Sequence, residues 1–243
     1  MLSKIQTSDD VKVGSVEYLT EFIGDAPVSV YIIHGRDGDM LVDTGFSTTF
    51  RHIQKWISRK RFNITDIYLT HAHPDHDWNA AKLKEKYGAR IWMAEKDISL
   101  IRNFSSQKQY PTSKKYRFRT MWISFWTKTP FFRSAFYTPD VILKEEGSSI
   151  PEKYGYDFSV VFLPGHTLGS SGIKTEDVLY CGDAYAVLNG EPVLPPHAAS
   201  VELMNSSYNK ILKIAPEYLA CGQGVPFLFS EKFADINKKC EEK

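Results

Sequence analysis

The sequence predicts a mixed α/β fold in which short strands alternate with amphipathic helices and one inserted segment has a different character. Three observations carry this reading. Short runs of β-branched and aromatic residues alternate with segments whose apolar residues recur at helical spacing. Four of the strands, at 67–69, 159–163, 178–181 and 218–221, run into loops of polar, glycine-flanked residues. Side chains on such loops can converge on one rim, held by a rigid sheet beneath. Residues 98–139 break the pattern and are basic and aromatic.

The elements follow in chain order. Val28 to Ile33 is an apolar run rich in β-branched residues, Gly35 to Gly38 turns, and Met40 to Val42 returns before Asp43-Thr44-Gly45, a hairpin-like pattern. Phe50, Ile53, Trp56 and Ile57 recur at helical spacing and predict an amphipathic helix over about 47–60. Ile67 to Leu69 is a short strand that leads into a histidine cluster, Trp78 to Tyr87 reads as a helix, and Ile91 to Met93 as a strand. Beyond the insert, 159–163 and 178–181 are strands ending in Pro164-Gly165 and Gly182-Asp183. Met204, Tyr208, Ile211, Leu212 and Ala215 mark a helix, 218–221 is the last clear strand, and Phe229 to Lys239 is expected to be a terminal helix.

With 243 residues the chain can bury a substantial core, and 1–243 is expected to be one domain with 98–139 inserted in it. Apolar residues at 42% and charged residues at 24% are ordinary for a folded domain, and a net charge of +1 points to no particular partner. Met1 to Ser15 lacks an apolar leader core, and no run of about 18 apolar residues exists, so neither a signal peptide nor a membrane span is expected. Three cysteines, Cys181, Cys221 and Cys240, do not make a disulfide framework, which favours a reducing, cytoplasmic setting.

The insert holds eight basic residues and no acidic one: Arg102, Lys108, Lys114, Lys115, Arg117, Arg119, Lys128 and Arg133. Without these eight the net +1 of the chain becomes −7. Eleven aromatics share the stretch, which reads as a helical cap and not as a strand layer. Four uses are open. It can cover a site for an apolar, anionic small molecule, pack its aromatics on the domain with its lysines in water, touch a membrane surface peripherally, or line a nucleic-acid groove. The near-neutral whole and the lack of a recognition domain argue against the last.

Thr70-His71-Ala72-His73-Pro74-Asp75-His76-Asp77 is the strongest chemical signal. It gathers three of the seven histidines and two aspartates. Imidazole nitrogen and carboxylate oxygen are the donors that catalytic Zn²⁺ takes. The spacing of His71 and His73 lets both rings face one side of an extended loop, with Asp75 and His76 turning toward a neighbouring position.

His-x-His-x-Asp-His after a short strand resembles the metallo-β-lactamase superfamily. Leu163-Pro-Gly-His166-Thr-Leu-Gly169 resembles its third-histidine loop, near the glyoxalase II and lactonase-like branches, and Tyr180-Cys-Gly-Asp183 resembles the loop of its bridging aspartate. Val42-Asp43-Thr-Gly45 resembles its early strand-turn, whose aspartate supports the ligands from behind. The match spans nearly the whole chain except 98–139. The resemblance implies a four-layer αββα sandwich with the metal site at one edge of the two sheets. It implies a first metal on His71, His73 and His166, a second on Asp75 and His76, and Asp183 as the bridge.

One position departs from that pattern. The family closes its second site with a histidine after the last strand, whereas this chain has Cys221-Gly222-Gln223-Gly224. Gln223 offers a neutral amide oxygen, so the expectation is one firm Zn²⁺ and a second site that is weak or absent, with iron or manganese as the alternative where oxygen ligands dominate. His197 could in principle replace the missing ligand, but such a loop histidine more often lines the entrance or has no role. Asp77 is read as solvent-facing or capping, Cys181 and Cys221 as core thiols, Tyr185 as an exposed loop residue, and His34 has no assigned role.

The resemblance implies a hydrolase in which a metal-bound hydroxide, formed because the ion lowers the pKa of its water to about 7, attacks an ester, thioester or lactone carbonyl, with Asp75 positioning the nucleophile and taking up its proton. The alternatives are a phosphodiester (including lipid) hydrolase, a mononuclear-iron dioxygenase, and a non-catalytic binding protein with a degenerate second site.

Overall fold

Strand pairing follows chain order at the N-terminus of this computed structural model, which describes residues 4–23, 26–103, 106–126, 135–188 and 191–230. β1 (Lys4–Thr7), β2 (Glu17–Ile23), β3 (Ala26–His34) and β4 (Asp39–Val42) form an antiparallel meander. Crossover helices then bring in parallel partners. α1 (Phe50–Lys60) leads to β5 (Ile64–Tyr68), and α2 (Pro74–Asp77) with α3 (Ala80–Tyr87) leads to β6 (Arg90–Ala94). α4 (Ile98–Arg102), β7 (Tyr110–Pro111) and α5 (Arg117–Trp126) fill the insert before β8 (Val141–Leu143) joins β6 and completes a seven-stranded sheet. After α6 (Ser149–Lys153), β9 (Ser159–Phe162), β10 (Ser171–Lys174) and β11 (Val178–Leu188) begin a second sheet. β12 (Glu191–Val193) pairs with β11, β13 (His197–Ala198) pairs with β7, and α7 (Val201–Ile214) leads to β14 (Tyr218–Gln223) and β15 (Phe227–Leu228).

Alternation along the strands explains the layers. On the first sheet Tyr18, Tyr31, Met40, Val42, Tyr68 and Trp92 point inward, toward Val160, Ile173, Val178, Tyr180 and Ala220 of the second. Their neighbours Leu19, Val30, Ile32, Leu41, Ile67 and Ile91 point the other way, onto Ile53, Trp56 and Ile57 of α1 and Leu83 of α3. The second sheet does the same with Leu179, Cys181, Leu219 and Cys221, which meet Ile211 of α7. Both sheets are thus covered on both faces, which is why strands such as β3, β6 and β9 read as largely apolar runs. The result is the expected αββα sandwich.

Some elements differ from the sequence expectation. The helix expected from Trp78 starts at Ala80, because Asn79 spends its side chain on the Thr44 and Phe46 carbonyls (2.7 and 2.6 Å). The insert contains α4 and α5 but also a strand, since Tyr110–Pro111 pairs with His197–Ala198. Tyr185 lies in β11 and is buried, stacked on Tyr208 with centroids 5.4 Å apart, because β11 extends past the metal loop before it ends. Most of the expected terminal helix, 231–239, and Cys240 lie outside the described residues; Phe227–Leu228 just before them form β15.

Asp66 on β5 closes one seam of the sandwich. It is buried and accepts hydrogen bonds from Trp92 Nε1 (2.7 Å), Tyr156 Oη (2.7 Å) and the Arg90 guanidinium (2.7 and 2.8 Å). Burial alone would raise its pKa, but these donors outweigh it and hold the carboxyl below its usual value. A depressed carboxylate pKa stabilises the fold above the unfolded value of about 3.9 and ceases to do so as pH falls through the folded value. Asp66→Asn is therefore expected to cost about 2 kcal/mol at pH 7, and its urea-denaturation curves should approach those of wild type below about pH 4. Arg90 is partly exposed, so most of the loss comes from the tryptophan and tyrosine donors.

Candidate metal centre

The centre is built by strand ends. Leaving β5, the chain passes Leu69 and Thr70 and presents His71 and His73 from an extended stretch, with ring centroids 4.6 Å apart. Pro74 then starts α2 at a helix position where its missing N–H costs nothing. The turn brings His76 back, its ring 4.1 Å from that of His71. His166 enters from the loop between β9 and β10, 4.6 Å from His73 and 4.8 Å from His71 by ring centroid. Asp183 comes from β11 and places Oδ1 3.4 Å from His76 Nε2 and Oδ2 3.5 Å from His166 Nε2. The donor atoms of His71, His73 and His166 lie within 4.8 Å of one another, as do those of His71, His76 and Asp183.

Three of the four rings are turned by what their other nitrogen holds. Asp43 sits just past β4 in the left-handed region (φ 59°), which aspartate tolerates better than most residues. Its carboxylate accepts from Thr70 N and Thr70 Oγ1, both at 2.8 Å, and from His76 Nδ1 at 2.8 Å. Since Thr70 Oγ1 gives its proton to Asp43, it accepts from His71 Nδ1 at 3.0 Å. His166 Nδ1 donates to the His197 carbonyl at 3.0 Å. His71, His76 and His166 thus carry the Nδ1 proton outward and aim Nε2 at the centre, the arrangement by which outer partners orient metal-ligating imidazoles. Asp43 is the buried supporting carboxylate that the sequence suggested.

A carboxylate at Asp97 holds the two histidine loops together. It is buried and accepts from Ala72 N (3.2 Å), Gly169 N (2.8 Å), Thr167 Oγ1 (2.7 Å) and Gln107 Nε2 (3.3 Å). Burial pushes its carboxyl up, against the pull of these donors. Sequence reasoning missed Asp97, Thr70 and Gln107. Asp97 stands one residue before the insert and belongs to no motif, and three residues separate it from the strand Ile91–Met93, so the sequence offered no signal for it.

Asp77, expected to face solvent or cap a helix, is instead buried and accepts from Tyr137 Oη at 2.7 Å. The α2 turn directs it inward, under the insert. Cys181 and Cys221 are core residues as expected, with sulfurs 3.7 Å apart. His197 packs beside the centre, its ring 4.9 Å from His166 and 6.0 Å from His73. Gln223 reaches the centre through its amide nitrogen, which donates to Asp75 Oδ2 at 2.7 Å and lies 3.4 Å from His76 Nε2. Gly222 makes that approach possible: a Cβ there would fall 2.5 Å from both Asp183 Oδ1 and His76 Cε1.

The donor set fits a cation. Burial lowers the pKa of His71 and His166 well below the usual range and that of His73 to about 3, so these rings are neutral, the form in which imidazole ligates a metal. Three carboxylates, those of Asp43, Asp75 and Asp183, surround His76 and overturn its burial penalty, raising its pKa well above normal. Burial pushes Asp183 up to about 7. His71 Nε2 and Asp183 Oδ1 are buried without a hydrogen bond. Neutral imidazoles facing crowded carboxylates, with buried acceptors left over, are what a bound divalent ion would satisfy.

A family model described as the metallo-beta-lactamase superfamily matches residues 23–223. The hydroxyacylglutathione hydrolase GloC of Haemophilus influenzae is 32% identical over 136 residues, which cover 55% of this chain and 55% of that protein. A hydroxyacylglutathione hydrolase of Baumannia cicadellinicola is 24% identical over 155 residues, covering 63% of this chain and 44% of that one. The chain thus spans about half the length of these relatives. Among solved structures, the BLEG-1 B3 metallo-beta-lactamase superposes with a TM-score of 0.61 at 20% identity, covering 95% of this chain and 97% of that one, which speaks for the fold alone.

Proposed function

The chain belongs to the metallo-β-lactamase superfamily, and on that footing we propose that it is a metal-dependent hydrolase acting on an ester, thioester or lactone carbonyl, with an acyl thioester as the favoured substrate. One observation carries the reading: three segments from two sheets, the stretch after β5, the β9–β10 loop and β11, bring His71, His73, His76, His166 and Asp183 together at a buried place where His71 Nε2 and Asp183 Oδ1 make no hydrogen bond. The relatives described as hydroxyacylglutathione hydrolases support the thioester. In this reading 1–243 is one domain with 98–139 inserted at its rim, and the protein works in the cytoplasm; the unbridged thiols of Cys181 and Cys221 support that setting.

His71, His73 and His166 would hold the first ion, with Asp183 between it and a second position formed by Asp75 and His76. When bound, a Zn²⁺-like ion supplies Lewis acidity, polarising a carbonyl and making water acidic near neutral pH. The chain supplies the rest. Asp75 is the most exposed of the site carboxylates, at 25%. Burial would raise its pKa, but His76 reverses this and keeps it ionised, so it can accept a proton from the attacking water at the mouth of the site. Gln223 Nε2 donates to that carboxylate and holds it in place, acting here as a positioning residue and not as a ligand. Asp43 and Thr70 keep the His71 and His76 rings aimed. His197 narrows the entrance and excludes water from one side.

Elemental analysis of untreated protein, paired with hydrolysis assays on thioester, lactone and phosphodiester panels, tests the proposal. The expected result is about one zinc per chain and turnover of thioesters above the other classes, abolished by a chelator and restored by Zn²⁺. Metal near zero in folded protein would favour a binding role, iron in place of zinc would favour oxidation at that metal, and preference for phosphodiesters would overturn the carbonyl assignment.

A further inference from the structure

α5 turns an apolar face toward solvent. Phe118, Met121, Trp122 and Phe125 are 81%, 62%, 65% and 67% exposed. Their spacing of i, i+3, i+4 and i+7 puts all four on one side of the helix. Its other side is fastened to the protein: Thr120 is buried, with Oγ1 3.4 Å from the Pro196 carbonyl. Thr112 N and Oγ1 donate to the Pro196 and Pro195 carbonyls at 3.1 and 2.6 Å, and β7 pairs with β13. The same strand β13 carries His197 against the rings of His73 and His166. The apolar face is therefore anchored to the wall of the metal centre.

Charge selects what meets this face. Lys114, Lys115, Arg117 and Arg119 are exposed beside the apolar stripe. No acidic residue occurs anywhere in 98–139, while the remainder of the chain carries −7. A second copy meeting this face symmetrically would set cations against cations. A nucleic acid would suit the cations but leave Phe118 and Met121 against phosphate. An apolar stripe flanked by lysine and arginine, with tryptophan at the boundary, matches the acyl–headgroup interface of an anionic bilayer.

We propose that α5 docks the protein peripherally on anionic membrane surfaces, with Phe118, Met121, Trp122 and Phe125 entering the interface and Lys114, Lys115, Arg117 and Arg119 facing the headgroups. The docked orientation holds the entrance of the metal centre beside the bilayer. This inference stands whether or not the centre is a hydrolase, because its readout is binding.

The test is co-sedimentation of the full chain with phosphatidylcholine vesicles, with and without phosphatidylglycerol, at low and high salt. Wild type is expected to bind the anionic vesicles, weakly or not at all the neutral ones, and less as salt rises. Phe118→Ser with Trp122→Ser, and separately Lys114→Glu with Lys115→Glu, should each weaken binding about tenfold or more. All four positions are exposed, so melting temperature and metal content should stay at wild-type values and show that the variants are folded. Absence of vesicle binding, or equal binding by the folded variants, would overturn the proposal. So would a dimer in sedimentation velocity that the Phe118/Trp122 variant dissolves, or a duplex oligonucleotide held through the same residues more tightly than vesicles.

Discussion

His73→Ala is expected to leave the chain without metal where wild type is saturated, and to lower kcat/KM about a thousandfold, equivalent to about 4 kcal/mol of transition-state stabilisation. The ring of His73 packs against those of both His71 and His166, and His166 Nε2 lies 2.9 Å from its Nδ1. Its removal deletes one donor of the set that converges within 4.8 Å. The fold should survive, because the metal-free centre gains little from three desolvated imidazoles. The discriminating measurement is thermal: wild type should melt higher with Zn²⁺ than with a chelator, since an ion bound only to the native state stabilises it, whereas the variant should melt alike in both. A variant with full metal content and undiminished turnover would remove the basis of the proposed function. Gln223→His is the complementary change. It replaces an amide that donates to Asp75 with an imidazole able to ligate, and elemental analysis should show the metal content rising from about one toward about two per chain.

Asp97→Ala should produce the largest loss of stability, about 3–5 kcal/mol by urea denaturation, together with metal binding weakened about 10–100-fold in competition titrations. The variant leaves the N–H groups of Ala72 and Gly169 facing a cavity, and these groups belong to the two loops that present His71, His73 and His166. Asp97→Asn should lose less stability, because its amide oxygen still accepts, but its NH₂ opposes one of the backbone donors. If both variants bound Zn²⁺ with wild-type affinity, the carboxylate would be a structural residue with no part in positioning the ligands.

The candidate ligand set was legible because it is local and chemically dense. His71, His73, Asp75 and His76 lie within six residues, the His166 loop follows a strand that β-branching reveals, and Asp183, expected on a loop after 178–181, lies within the longer β11. Fold class was legible because both sheets are covered on both faces, so many strands of the core carry apolar runs. Asp77 and Tyr185 went the other way. A carboxylate after a histidine and a tyrosine after a site loop look solvent-facing in sequence, and only the packing of Tyr137 over α2 and of Tyr208 on β11 buries them.

The sequence by itself determined which donors this protein has, the order in which the strands deliver them, and that a basic aromatic segment interrupts the frame. The tertiary structure decided how those donors are aimed: Asp43 and Thr70 set the tautomers of His71 and His76, Asp97 joins loops far apart in sequence, at Ala72 and at Thr167–Gly169, and β7–β13 pairing ties the insert to the rim. The division has a physical reason. Donor chemistry belongs to the residue and is written locally, whereas orientation comes from hydrogen bonds between segments distant in sequence, which exist only once both sheets have packed.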